Sequence, residues 1–362
     1  MAKRKIRTLV PEYLVPKRVR VKRLKSTAIK LSLNENIKLY IPDGIPLLAD
    51  KMSCLTPLVS LATQPDMKVR EFSDDKGHHC IVRPSDQGHA TIFMFDTIIY
   101  VISGVAHLVR QGVQFKYNSS QYVQFSLNNL KKTCGDKSVC GDDYNAYVNK
   151  VLMVLKGVGI KTNFATGRHI RKREGFTPEA IFGFIEDAIV WRDNVTQEIE
   201  SIEIKLPNVL WNAAISPVDV IELDPLYFRL RNPTHKSLYL YAHVMCYRAG
   251  RHHIQLADLQ EAIGSRSSLK QFRSDIRKMI AAKKNLILGY GLHLDNDRDE
   301  VIIFNNKLID APEGMLAALG KIPTEEQLMI QAPHQETEGD DGITDAEFAE
   351  IAGSPPPPEE MF

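Results

Sequence analysis

One stretch of this chain is written twice. Phe125-Ser126-Leu127-Asn128-Asn129-Leu130-Lys131-Lys132-Thr133-Cys134-Gly135 and Ile254-Gln255-Leu256-Ala257-Asp258-Leu259-Gln260-Glu261-Ala262-Ile263-Gly264 place apolar residues at the same four positions, and each closes on a glycine. A repeated unit constrains a fold strongly, because both copies must satisfy the same local geometry. Helical spacing closed by glycine predicts a short helix stopped at a residue of positive φ. A longer helix follows each copy. In the first, at 142–156, Tyr144, Tyr147, Val148, Val151, Leu152 and Leu155 keep helical spacing; in the second, at 269–284, Leu269, Phe272, Ile276, Met279 and Ile280 do so, with Ser267 or Ser268 as N-cap.

What lies on either side repeats as well. Apolar helices are predicted before each copy, at 91–111 and 236–248. After the second copy, strands at 286–294 and 300–305 flank a polar turn. After the first, a strand at 158–164 leads to a basic segment, and strands at 180–191 and 200–206 flank Asp193-Asn194. Helix, short helix, turn, long helix, hairpin is the order of a winged helix-turn-helix. The expected fold class is therefore α+β, with two tandem winged-helix domains at 31–215 and 216–310.

The ends differ from this middle. The first thirty residues hold Lys3, Arg4, Lys5, Arg7, Lys17, Arg18, Arg20, Lys22, Arg23, Lys25 and Lys30 against Glu12, whereas the last fifty hold many acids against Lys321. A disordered basic arm at 1–30 and a disordered acidic tail at 311–362 are expected, so the net charge of +2 conceals a polarity suited to nucleic acid at one end. The apolar stretch 90–109 is broken by Asp96, Ser103, Gly104 and His107, which predicts a buried helix and no membrane partner. Five cysteines suit a reducing, cytoplasmic setting rather than a disulfide framework.

In a winged helix the second helix of the motif enters the major groove. In the second copy Arg266, Lys270, Arg273, Arg277 and Lys284 recur opposite the apolar stripe. Arginine can bond a guanine edge through two parallel hydrogen bonds and lysine neutralises phosphate. Ser265, Ser267 and Ser268 at the helix start can donate to phosphate. The first copy offers Asn145, Asn149 and Lys150, with Lys156 beyond them and Lys137 and Ser138 in its turn, but Asp142 and Asp143 would repel phosphate; it fits a DNA-contacting, a structural or a homodimer-forming unit. Arg168, Arg171, Lys172 and Arg173 read as a wing or loop on the phosphate backbone.

Enzyme motifs are incomplete. Gly157-Val158-Gly159-Ile160-Lys161-Thr162 lacks the adjacent Gly-Lys of a phosphate loop and follows a helix. His78-His79-Cys80, Cys134 and Cys140 lack four-ligand zinc spacing, and His252-His253 lacks the His-x-His order of nicking enzymes. Tyr239 and Tyr241 read as packed. A binding protein without catalytic residues, metal or cofactor is expected.

Residues 218–305 resemble the plasmid replication initiator protein A family. The carriers are Leu223-Asp-Pro-Leu-Tyr-Phe-Arg-Leu230, His235-Lys-Ser-Leu-Tyr239, Ile254-Gln-Leu-Ala-Asp-Leu259, Gly264-Ser-Arg-Ser-Ser-Leu-Lys-Gln-Phe-Arg273 and Val301-Ile-Ile-Phe304. Gly88-His-Ala-Thr-Ile-Phe-Met-Phe-Asp96 and Ile202-Glu-Ile-Lys-Leu-Pro207 are similar to that family's first half. The resemblance implies two winged helices that bind repeated double-stranded sites at a plasmid origin, promote opening of the duplex and recruit host replication proteins such as a helicase or host initiator. It also implies that residues 264–277 are the main reading helix. A transcriptional regulator or autorepressor of the same fold is the alternative; a rolling-circle nicking enzyme would need the absent ligand set.

Overall fold

The computed structural model describes residues 39–62, 65–73, 77–163, 178–247, 250–282 and 287–306. The basic arm at 1–30, the acidic tail, Arg168, Arg171, Lys172, Arg173 and Lys284 lie outside the described residues.

The first half opens with β1 (Leu39–Tyr40), β2 (Leu48–Asp50), α1 (Lys51–Leu55), β3 (Arg70–Ser73) and β4 (His79–Arg83). Then comes α2 (Ile92–Arg110), the central helix. Thr91 caps it by accepting from the Met94 amide, and its apolar run is too continuous to leave a polar face. Ile98, Ile99, Val101, Ile102 and Val105 are fully buried, each contributing about 1.5–3 kcal/mol by leaving water. The helix is long and apolar enough to cross a membrane, but most of its surface lies inside the protein.

From α2 the two halves follow one plan. In the first, β5 (Tyr122–Phe125) leads into α3 (Leu127–Cys134), a one-turn α4 (Asp136–Val139), and a continuous helix made of α5 (Tyr144–Ala146), a π-helical stretch at Tyr147–Leu152, and α6 (Met153–Gly157). Strands β6 (Gly159–Thr162) and β7 (Ala180–Phe182) follow, then the hairpin β8 (Asp187–Arg192) and β9 (Ile199–Lys205). Helix α7 (Asn208–Ile215) and strand β10 (Val220–Glu222) lead to a 3-10 turn at Pro225–Arg229. In the second half, α8 (Pro233–Cys246), β11 (Arg251–Gln255), α9 (Leu256–Ala262), α10 (Leu269–Ala281), β12 (Tyr290–Asp295) and β13 (Glu300–Asn305) repeat the order.

Strand pairing repeats too. The order β5-β9-β8 in the first half matches β11-β13-β12 in the second, all antiparallel. Phe125 pairs with Ile202, and Ile254 with Val301, so the strand that enters each short helix is stapled to the hairpin's last strand. Both closing glycines take positive φ, 87° at Gly135 and 76° at Gly264, as a helix stop requires.

Two expectations need correction. The single strand expected at 180–191 is two, β7 and β8, in different sheets. At Gly183 a Cβ would stand 3.0 Å from the Val158 carbonyl, and the chain there turns inward to bury Phe184 and Ile185. The strand expected at 158–164 forms as β6, and it pairs with β4 and β7 in a separate sheet, β3-β4-β6-β7. The first turn is not a simple loop, because α4 fills it. There Ser138 is buried, its hydroxyl 2.8 Å from Asp96 Oδ2, so this turn faces inward.

The halves share one core. Strand β2 pairs with β10, and Leu48, Ala49 and Asp50 on β2 are all buried. Between α2 and α8, Lys236 Nζ lies 2.8 Å from Asp96 Oδ2 with both side chains fully buried. That ammonium also sits 4.2 Å from the centre of the Tyr227 ring.

Candidate nucleic-acid interface

Helix α10 divides cleanly. Phe272, Ile276 and Met279 are buried, whereas Lys270, Gln271, Arg277 and Lys278 are exposed. Its start is built by serines. Ser268 is the N-cap, accepting from the Gln271 amide at 3.2 Å. Ser265 and Ser267 hydroxyls lie 3.1 Å apart, and Gln260 Nε2 donates to the Ser267 carbonyl at 2.6 Å. The turn thus presents hydroxyls beside the free amides of a helix start, a geometry suited to phosphate.

The arginines of this helix are engaged. Arg273 grips Asp299 through both carboxylate oxygens, Nη2 to Oδ1 at 2.7 Å and to Oδ2 at 2.6 Å, with Nε adding a third contact at 3.1 Å. Arg277 Nη2 donates to Asn296 Oδ1 at 2.7 Å. Arg266 Nη1 lies 2.6 Å from Asp66 Oδ2 in the first half of the chain. Lys270 is the exposed cation nearest the helix start. Arg273 therefore ties the helix to the hairpin, and its guanidinium can meet a base only by leaving Asp299. Sequence periodicity places these cations on one face but says nothing of acceptors that lie far along the chain. The one sequence signal was the carboxylate-rich turn at 295–300.

The matching helix of the first half is different. Asn145, Asn149 and Lys150 are all exposed, as expected. However, Asn145 Oδ1 accepts from Arg192 Nη2 of the hairpin at 2.8 Å, and the Asn149 carbonyl accepts from Gln87 Nε2 at 3.0 Å. Lys156 donates to the Glu186 carbonyl at 2.7 Å, and Asp143 caps the helix by accepting from the Ala146 amide at 2.9 Å. Asp142 pairs with Lys131, whose hydrogen bond holds the Asp142 carboxyl below its ordinary range. Met153 stands 52% exposed on this helix, and Val195 90% exposed at the hairpin tip. This surface is more apolar and more acidic than that of α10.

The other residues singled out in the sequence have packing partners. Tyr239 is buried, its hydroxyl accepting from the Asp224 amide at 2.8 Å. Tyr241, also buried, meets His252 Nε2 at 3.1 Å. Burial pushes the Cys134 thiol well up, and Cys54, Cys80, Cys134 and Cys246 are all buried and unpaired in disulfides. Among the described residues no three His, Cys, Asp or Glu side chains converge as metal ligands.

The family model for replication initiator protein A matches residues 49–290. A protein of Wigglesworthia glossinidia brevipalpis that carries the name of a replication protein is 24% identical over 304 residues, covering 78% of this chain and 99% of that one. Crystal structures of domains 2 and 3 of RctB align at 13% identity. One covers 68% of this chain and 94% of its own with a TM-score of 0.44. Another covers 70% and 95% with a TM-score of 0.41.

Proposed function

The chain belongs to the replication initiator protein A family, and from that premise we propose that it initiates plasmid replication by binding repeated double-stranded sites at the origin through two winged-helix units. The unit built on α8 to β13 is the principal reader. The observation that carries this is the exposed face of α10, where Lys270, Arg277 and Lys278 follow a serine-built start and lie beside a hairpin. A helix of this charge, next to a two-stranded wing, fits a major groove and the phosphates that flank it. The unit built on α2 to β9 supports and spaces the reader and makes fewer phosphate contacts. Binding, rather than bond cleavage, is the activity; distortion of the duplex and recruitment of host replication proteins follow from it.

Selection of bound fragments from the DNA around the gene tests this reading. Short repeated sites, bound with an affinity that falls steeply with salt, are expected, because each neutralised phosphate releases counterions. A single promoter-like site would favour a regulator, and no preferred site would overturn sequence-specific binding.

A further inference from the structure

The turn that introduces α10 is held from outside its own unit. We propose that Arg70 and Asp66, in the first half of the chain, are positioning residues for DNA recognition: they clamp the turn at 264–266 and hold Arg266 until a phosphate takes it. This rests on α10 being the DNA face.

Arg70 begins β3 and is only 8% exposed. Its Nη1 donates to the Val59 carbonyl and its Nη2 to the Gly264 carbonyl at 2.8 Å. One planar guanidinium thus joins two main-chain carbonyls from opposite halves of the chain, and its rigid fork fixes the direction of both bonds. The turn sits directly on this surface. A Cβ at Gly264 would stand 2.6 Å from Arg70 Nη2 and 3.1 Å from Pro57 Cβ. Burial above all, and then the charge of Arg266, lower the Arg70 pKa to about 10, so the group stays cationic at neutral pH and its hydrogen bonds stay charge-assisted.

Asp66 supplies the second contact. Its Oδ1 accepts from the Lys68 amide at 3.1 Å, and its carbonyl accepts from the His89 amide at 3.1 Å. The backbone of Gly88 packs so closely that a Cβ there would lie 3.2 Å from the Asp66 nitrogen. The carboxylate is therefore fixed, with its side chain 13% exposed, while Arg266 is 41% exposed. Arg266 meets Asp66 through one nitrogen, Nη1 to Oδ2 at 2.6 Å, and phosphate accepts from a guanidinium as a carboxylate does, so the exposed side chain can swing from Asp66 to an approaching backbone. In the absence of DNA the acid keeps that arginine ordered and neutralised, so phosphates that arrive without the rest of the site must compete with Asp66 for it.

The test uses the full chain, a duplex carrying the selected site, and a random-sequence duplex of equal length. Arg70→Met keeps the packing of the stem and removes both hydrogen bonds. It is expected to lower affinity for the selected duplex about tenfold, while affinity for the random duplex and its salt slope stay unchanged, because Arg70 itself neutralises no phosphate. Arg70→Lys should fall between the two. Asp66→Asn should raise affinity for the random duplex about threefold, and should do nothing once Arg266 is alanine, a non-additivity that mere stability does not produce. Lys270→Ala separates the two levels of the argument. If Lys270→Ala weakens binding and Arg70→Met leaves the ratio of the two affinities at its original value, the clamp is overturned and the reading helix stands. If Lys270→Ala changes nothing on either duplex, α10 is not the DNA face and both fail. Should Arg70→Met not fold, the Asp66 and Arg266 pair decides: additive effects, or none, overturn the proposal.

Discussion

The two units share strand order, pairing and a glycine stop, yet they place the arginines of the helix-to-hairpin contact on opposite sides. In the second, the helix carries the cations Arg273 and Arg277, and the hairpin carries the acceptors Asp299 and Asn296. In the first, the hairpin carries Arg192 and the helix carries the acceptor Asn145. The turns differ in the same way. The second turn lies at the surface with Ser267 and Arg266 exposed, whereas the first is filled by α4 and buried against Asp96 through Ser138. One fold thus yields a strongly cationic helix in one place and, where Asp142 and Asp143 offset Lys150 and Lys156, a near-neutral one in another, because function resides in the side chains grafted on the scaffold.

The sharpest test asks whether the units are one body. Replacing Lys236 with Met leaves the fully buried Asp96 carboxylate without its cation, and breaking such a pair costs about 3–5 kcal/mol. Chemical unfolding should show that loss in a single transition sensed from both halves; two separate transitions would break the picture of a shared core. Combining it with Asp96→Leu should recover much of the loss, since apolar replacement of both partners removes the stranded charge. A smaller effect separates the units by role. Arg277→Ala should weaken binding to the selected duplex by about 1–3 kcal/mol if that arginine meets a base edge. Lys150→Ala in the first unit should cost well below that. Equal losses would make both helices readers and dissolve the contrast.

The sequence carried the elements that follow from local spacing. Short helices ending at Gly135 and Gly264, the cap at Ser268 and the last hairpin all follow from periodicity and turn chemistry. What it hid depends on chain-distant partners. Strand β6 buries alternate residues, Ile160 and Thr162, as any half-buried strand does, and its choice of β4 is made by tertiary packing. The π-helical stretch at Tyr147–Leu152 leaves the apolar spacing readable while changing the hydrogen-bond pattern. Asp96 stood out as an acid inside an apolar helix, but nothing local names Lys236 as its partner. The cations on and before α10 were likewise legible as a stripe, and the acceptors Asp299, Asn296 and Asp66 that hold them were not.

The smallest expected effect bears most directly on the contrast between the units. Asn296 and Asn145 are neutral acceptors of an arginine across the same helix-to-hairpin junction. Both contacts are exposed, so Asn→Ala at either should change stability by less than about 0.5 kcal/mol. Their consequences for DNA should nevertheless differ. Asn296 orders Arg277, a cation on the proposed DNA face, and an unordered side chain must lose its freedom on binding at about 0.5–1.5 kcal/mol. Asn296→Ala should therefore reduce affinity for the selected duplex by roughly that amount, with no change in salt slope because no charge is altered. Asn145→Ala leaves Arg192 still bonded to the Gln197 carbonyl, on a hairpin that carries Asp193 and Glu198 beside it, and should leave affinity for both duplexes where it was. Titration of the two variants against the two duplexes checks this. An Asn145→Ala loss equal to that of Asn296→Ala would mean that the first hairpin also docks on DNA, and that the opposite placement of the arginines gives two ways of reading rather than one reader and its support.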